Sequence, residues 1–233
     1  MGDYKPDFKR IYTIANEVLV SSNTIMDFPF GIKNYIKNET DISLCTFKKA
    51  FQKCGGITLM LGSEDAVLTE KNGMYVIYYN DQVNKKRKKW SLTHELGHFY
   101  AGHDLKAAET NRELYDMQEI ESNFFAAQFL MPDQLIVEQM KRGCDITNYF
   151  LQNTFGVSQM AAEKRICTLR KTRGYQEYYY DNDYNEAIRL KFNSFLDRTA
   201  PNKKSYSFYL EEEEENQKER DRWLGERKRE PRY

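Results

Sequence analysis

The residues best suited to chemistry lie in one short stretch, His94-Glu95-Leu96-Gly97-His98, with His103 just beyond it. The chain has only 3 histidines, and all of them fall in that window. Two histidines at i and i+4 on a helix stand about one turn apart on one face, so both imidazoles can reach a single ion. The glutamate after the first histidine sits about 100° round the same helix, within reach of a water on that ion. Zinc held by two histidines and one carboxylate keeps a fourth position open for water and lowers its pKa toward neutrality. The pattern predicts His94 and His98 as Zn2+ ligands and Glu95 as the catalytic base, taking the water's proton and later delivering it to the departing amine.

The surroundings of the motif support this over a chance match on an amphipathic helix. At about 100° per residue, Leu92, Leu96, Phe99 and His103 fall on one side, with His94, Glu95 and His98 on the other. An apolar back and a ligand-bearing front suit a helix that lines a site. Gly97 costs about 1 kcal/mol relative to alanine in a helix interior. A close approach by a neighbouring element would account for it; simple tolerance is the alternative. His103 projects away from the ligand pair if the helix continues that far, which suits a packing or capping residue. The basic run Lys85–Lys89 is unexpected at a helix start, where the dipole disfavours cations. It reads as a solvated face ahead of a later helix start, or as a patch for an acidic partner.

A third ligand has to come from elsewhere. A metzincin would carry glycine at 101 and histidine at 104; Ala101 and Asp104 stand there, so Asp104 is a minor candidate. The next helix contains Glu113, Asp116, Glu119 and Glu121. Leu114, Met117, Phe124, Phe125 and Gln128 project within about 60° of Glu121, whereas Glu119 and Asp116 lie on the far side and read as solvated. A carboxylate in an apolar face is expensive unless its charge is compensated, and a metal ion compensates it. Glu121 is therefore the predicted third metal ligand, with an ion pair to an arginine or lysine as the alternative.

Several elements must position these residues. Ile11, Ile14, Val18 and Leu19 make one helical stripe, Phe47, Ala50 and Phe51 another, and Gly55-Gly56 supplies a stop. Short strands follow at Ile57–Leu61, Ala66–Thr69 and Met74–Tyr79, the last two joined through Lys71-Asn72-Gly73, a hairpin signal. The histidine helix spans roughly Lys85 to Ala101, ended by Gly102, and the next spans about Arg112 to Met131, closed by Pro132. Two more flank Phe155-Gly156-Val157-Ser158. Residues 1–173 read as one domain: N-terminal helices 1–55, a catalytic core 56–143 and a C-terminal helical pair 144–173. Residues 174–233 read as a tyrosine-rich, charged appendage with the acidic run Glu211–Glu215.

Composition narrows the partners. Lys+Arg and Asp+Glu both total 35, so net charge points to neither nucleic acid nor membrane. No apolar run reaches membrane-spanning length, and the first residues lack a signal-peptide core. Cys45, Cys54, Cys144 and Cys167 form no Cys-x-x-Cys pair, which fits reduced, buried thiols in a cytoplasmic protein. The segment Asp145 to Arg170 mimics a helix-turn-helix in which Lys164, Arg165, Arg170 and Lys171 could touch phosphates. Balanced charge favours packing or substrate docking there over DNA binding.

The stretch His94-Glu95-Leu96-Gly97-His98, followed by Glu121-Ser122-Asn123-Phe124-Phe125-Ala126-Ala127 and closing in Leu130-Met131-Pro132, closely resembles the ImmA/IrrE family of metallopeptidases, with Ser122 where alanine is usual. The similarity covers roughly residues 57 to 170. It implies an α+β fold: a zincin-like core with a small antiparallel sheet packed on the HExxH helix, mostly helical elsewhere. It also implies His94, His98 and Glu121 as zinc ligands, Glu95 as general base, and a substrate class of helix-turn-helix repressors encoded by phages or other mobile elements. The rival is a non-proteolytic zinc-containing regulator that binds DNA or a repressor through the C-terminal helical pair. A purely structural metal site has no use for Glu95, which favours the enzyme. With no further histidine present, oxyanion stabilisation falls to a tyrosine, a backbone N–H or the metal.

Overall fold

Ile11, Tyr12, Ala15, Val18 and Leu19 bury one stripe of the first helix, α1 (Phe8–Ser21), in a computed structural model that describes residues 4–54, 65–171, 180, 183–200 and 217–218. Asp7 caps its start by accepting the Arg10 N–H at 3.0 Å. Then come α2 (Ile32–Glu39), β1 (Ile42–Thr46) and α3 (Phe47–Cys54), followed by β2 (Ala66–Lys71) and β3 (Met74–Tyr79). The helices α4 (Lys85–Ala101), α5 (Ala107–Thr110), α6 (Arg112–Leu130) and α7 (Asp133–Lys141) form the middle of the chain. The last are α8 (Asn148–Phe155), α9 (Gln159–Lys171), α10 (Tyr184–Lys191) and α11 (Asn193–Thr199).

The fold is α+β and mostly helical, with the strands in the order β1-β3-β2. β2 and β3 form the expected hairpin, with Leu68 opposite Ile77 and both turn residues, Asn72 and Gly73, at positive φ. The expectation of an antiparallel sheet needs correcting, because β1 joins β3 in parallel with Leu44 opposite Ile77. A parallel partner requires a long crossover, and α3 lies within it. In β1 only Ile42 is buried, so this strand carries little alternation. The expected strand Ile57–Leu61 lies outside the described residues.

β2 and β3 lie along one flank of α4, where the Tyr75 and Phe99 rings meet at 4.9 Å. On another flank α4 packs against α6, and α6 in turn packs on α1. Residues expected in an appendage from 174 onward fall in two places: one compact unit runs from Met1 to Ala200 and a second from Pro201 to Tyr233. Ile188, Phe192, Phe195 and Leu196 are buried in the first unit, with Phe28 facing Phe192 at 5.0 Å and Phe195 at 5.4 Å. Lys191 Nζ donates to the carbonyls of Leu19 at 2.6 Å and Val20 at 3.1 Å, closing the C-terminal end of α1. These contacts make α10 and α11 part of the core. Among the described residues, no helix is long and apolar enough to cross a membrane.

Candidate metal centre

α4 starts at Lys85, earlier than a solvated basic run would suggest, because Asn84 caps it by accepting the Arg87 N–H at 2.8 Å. The run then separates by helical phase. Arg87 pairs with Asp65 at 2.5 Å, and Lys88 donates to the Asp81 carbonyl at 2.7 Å. Lys89 is buried, donating to the Phe155 carbonyl at 3.3 Å beneath the Phe30 ring. At the other end, left-handed Gly102 turns the chain back, so the His103 N–H reaches the His98 carbonyl at 3.1 Å.

Gly97 marks where α4 and α6 touch. A Cβ there would stand 2.9 Å from the Ser122 Cα and 3.2 Å from the Phe125 Cβ, so a close approach explains the glycine. His94 and His98 line one side of this crossing, with their Nε2 atoms 3.1 Å apart. Glu119 completes the group: its Oε2 is 3.3 Å from His94 Nε2 and its Oε1 is 3.2 Å from His98 Nε2. Donors about 2.0–2.1 Å from one tetrahedral ion stand roughly 3.3 Å from each other. The three side chains could therefore hold a metal ion, and they form one such group among the described residues.

Glu121, the predicted third ligand, does not join them. It is 2% exposed; its Oε1 accepts the Asp7 N–H at 2.6 Å, its Oε2 lies 2.8 Å from His103 Nε2, and Arg10 Nη1 stands 3.9 Å away. The correction has a simple cause. The stripe centred on Glu121 faces α1, as the Phe8–Phe124 ring contact at 5.1 Å shows. The face toward α4 instead runs through Ser122 and Phe125, and Glu119 lies one turn before Ser122. Burial could not single out Glu119, whose side chain is 33% exposed; the small pair Gly97 and Ser122 is the signal that could have. Asp104 is exposed and accepts the Lys106 N–H at 2.9 Å, away from the group.

Glu95 is buried against the sheet, its Oε2 accepting the Leu68 N–H of β2 at 2.7 Å. Burial pushes its carboxyl up to about 7, although the His94 charge and the Leu68 N–H pull the other way. Burial also resists ionisation of Glu119, but hydrogen bonds to His94 and His98 outweigh it and hold that carboxyl well below the usual range. The two imidazoles diverge: burial would lower both, yet Glu119 and Glu95 raise His94, whereas burial prevails at His98. Sequence reasoning also missed Tyr115 and Asn123, one turn either side of Glu119; the Asn123 amide donates to the Glu119 backbone carbonyl at 2.8 Å, and burial together with the Glu119 charge pushes the Tyr115 hydroxyl up. α6 thus presents Tyr115, Glu119 and Asn123 at four-residue spacing along the site.

The sequence also singled out Arg165 and the cysteines. Arg165 of the helix-turn-helix-like pair is 2% exposed and donates to Gln128 Oε1 at 2.6 Å, so it faces the core and not a phosphate. Of the free cysteines described, Cys45 and Cys144 are half-buried and Cys167 is exposed, in place of the buried thiols expected. Residues 56–167 match the family model Peptidase M78, described as the IrrE N-terminal-like domain. No curated relative matches the chain.

Proposed function

Starting from a chain that belongs to the ImmA/IrrE family through its residues 56–167, we propose that it is a zinc-dependent endopeptidase. The observation that carries this reading is the meeting of His94 Nε2, His98 Nε2 and Glu119 at 3.1–3.3 Å beside a second, buried carboxyl group, Glu95. His94, His98 and Glu119 would hold the zinc, which when bound supplies a Lewis acid for the peptide carbonyl and acidifies the attacking water. Glu95 takes the proton of that water. Burial raises its carboxyl above the ordinary carboxylate range, toward the neutral pH at which a group must take and then return a proton. The Leu68 N–H holds Glu95 in place from the sheet, and the proton passes on to the departing amine nitrogen as the peptide bond breaks.

The substrate in this reading is a cytoplasmic helix-turn-helix repressor of a phage or other mobile element, a class supported by the resemblance of the paired motifs. The test uses the full chain loaded with zinc and a purified helix-turn-helix repressor from the same genome, with mass spectrometry of the products. Wild type is expected to make a discrete internal cut. Glu95→Gln is expected to keep its zinc and lose about 10²–10⁴ in rate. Cleavage that persists in Glu95→Gln removes Glu95 as the base. A wild type that holds zinc and binds the repressor without cutting it transfers the reading to the non-proteolytic regulator.

A further inference from the structure

His103 and Glu121 lie next to the metal group without belonging to it, and neither is used in the chemistry above. His103 Nδ1 stands 3.0 Å from His98 Nδ1, and His103 Nε2 stands 2.8 Å from Glu121 Oε2. We infer that Glu121 and His103 form a relay that dictates which nitrogen of His98 carries its proton, making both of them positioning residues for the metal ligand. The inference rests on the zinc reading for its purpose, but its geometry is independent of that reading.

Hydrogen-bond direction is set in turn along the three groups, from His98 through His103 to Glu121. His98 turns Nε2 toward His94 and Glu119. A neutral imidazole can offer that lone pair to a metal only if its proton sits on Nδ1. Nδ1–H must then donate to His103 Nδ1, which leaves neutral His103 with its proton on Nε2. That N–H needs an acceptor, and Glu121 Oε2 is in place. The opposite assignment puts a proton on His98 Nε2, which the partly exposed Glu119 Oε1 at 3.2 Å can accept, but it blocks the ligand position and sets a bare His103 nitrogen against the buried Glu121 oxygen at 2.8 Å, two acceptors in a closer and drier contact. Glu121 therefore selects the ligating tautomer from two residues away.

The rest of the surroundings hold Glu121 to that task. The Asp7 N–H occupies Oε1 at 2.6 Å, and Arg10 both faces Oε2 and donates to the Ala101 carbonyl at the end of α4. The Ser122 hydroxyl, 3.3 Å from His103 Nδ1, is a longer contact whose proton can rotate to suit either partner. Outer partners of metal-bound histidines typically carry about 10–100-fold in metal affinity. Here the carboxylate acts through an intervening histidine, and its anchor comes from the first residues of α1.

The test reads the imidazole tautomers directly. With only 3 histidines in the chain, ¹⁵N NMR of the full-length histidine-labelled protein resolves each ring, before and after one equivalent of zinc. Expected in wild type are a proton on His98 Nδ1 and a proton on His103 Nε2, both present before zinc is added. Glu121→Met removes the acceptor, so the Nε2–H form of His98 should appear and zinc affinity in chelator competition should fall about 10–100-fold. Glu121→Gln keeps an amide oxygen and should restore both. His103→Phe should reproduce the loss and His103→Gln the rescue, so the result does not depend on Glu121→Met folding. Wild-type His98 protonated on Nε2 overturns the relay, as does unchanged affinity and tautomer in both Glu121→Met and His103→Phe. A wild type with the expected tautomers that binds no zinc supports the relay and overturns the proposed function instead.

Discussion

Glu119 and Glu121 stand two residues apart on one helix and do opposite work. Glu119 is partly exposed, faces α4 and meets two imidazoles; Glu121 is buried, faces α1 and meets a histidine, an arginine and a backbone N–H. A buried carboxylate needs compensation, but that need does not say what supplies it. At Glu121 a set of hydrogen-bond donors supplies it. A metal-facing carboxylate has to lie beside the opening a substrate would use, so partial exposure suits Glu119 better. On α6 the identity of the facing helix decides a carboxylate's role, and depth of burial does not.

The largest expected effect separates the two directly. Glu119→Ala should abolish stoichiometric zinc binding in a chelator competition, a loss well beyond the about 10–100-fold typical of an outer partner. Equal losses for Glu119→Ala and Glu121→Met would erase the distinction. Stability should respond the other way. Glu121→Met strands the Asp7 and His103 N–H groups, each worth about 1–3 kcal/mol when left unsatisfied. Denaturant unfolding of the metal-free protein should therefore show a marked drop for Glu121→Met and a small change for Glu119→Ala.

Gly97→Ala sharpens the geometry of the crossing. The added methyl meets the Ser122 backbone at 2.9 Å. Overpacking of this kind typically costs about 1–3 kcal/mol, against about 1 kcal/mol regained in helix propensity. A net loss of stability together with weaker zinc binding is expected, since Glu119 and the histidines are spaced by that contact; a variant more stable than wild type would show that the helices can part without harm. The smallest effect concerns the other end of α4. Burial lowers the Lys89 ammonium from 10.5 to about 8, and the single long bond to Phe155 does not offset it. Between those values the unfolded chain binds the extra proton, so stability should rise as pH climbs from about 8 to 10.5. In Lys89→Met that part of the pH slope, on the order of 1–3 kcal/mol in all, should vanish from a series of unfolding curves.

Where local chemistry decides structure, the sequence was readable. The stop of α4 at Gly102, the β2–β3 hairpin through Asn72-Gly73 and the helices flanking Gly156 all follow from caps, turns and periodicity. The pair of histidines one turn apart was equally plain, because a single helix fixes their spacing. What long-range packing decides was not readable. β1 is buried only at Ile42 and half-buried from Leu44 onward, so alternation was faint. Ile188, Phe192, Phe195 and Leu196 have helical spacing, but they sit in a tyrosine-rich and charged stretch whose composition suggested a tail. Arg165 read as one of four basic residues that could touch phosphates, because nothing local marks it out for the buried glutamine that receives it. Glu121 was chosen by the right rule, compensation of a buried charge, applied to the wrong neighbour.

The N-terminal helix can be seen as a tie rod. One end delivers the Asp7 N–H to Glu121, and the other is gripped by Lys191 through the Leu19 and Val20 carbonyls, while Tyr12 in between reaches Asp133 at 3.1 Å and Asn185 at 3.1 Å. Through these bonds α1 links the C-terminal helices to the carboxylate behind His103. Trimming the chain back to residue 173 would sever that rod at its far anchorage. The damage would be felt at the metal-binding end, although every residue of the HExxH motif would still be there.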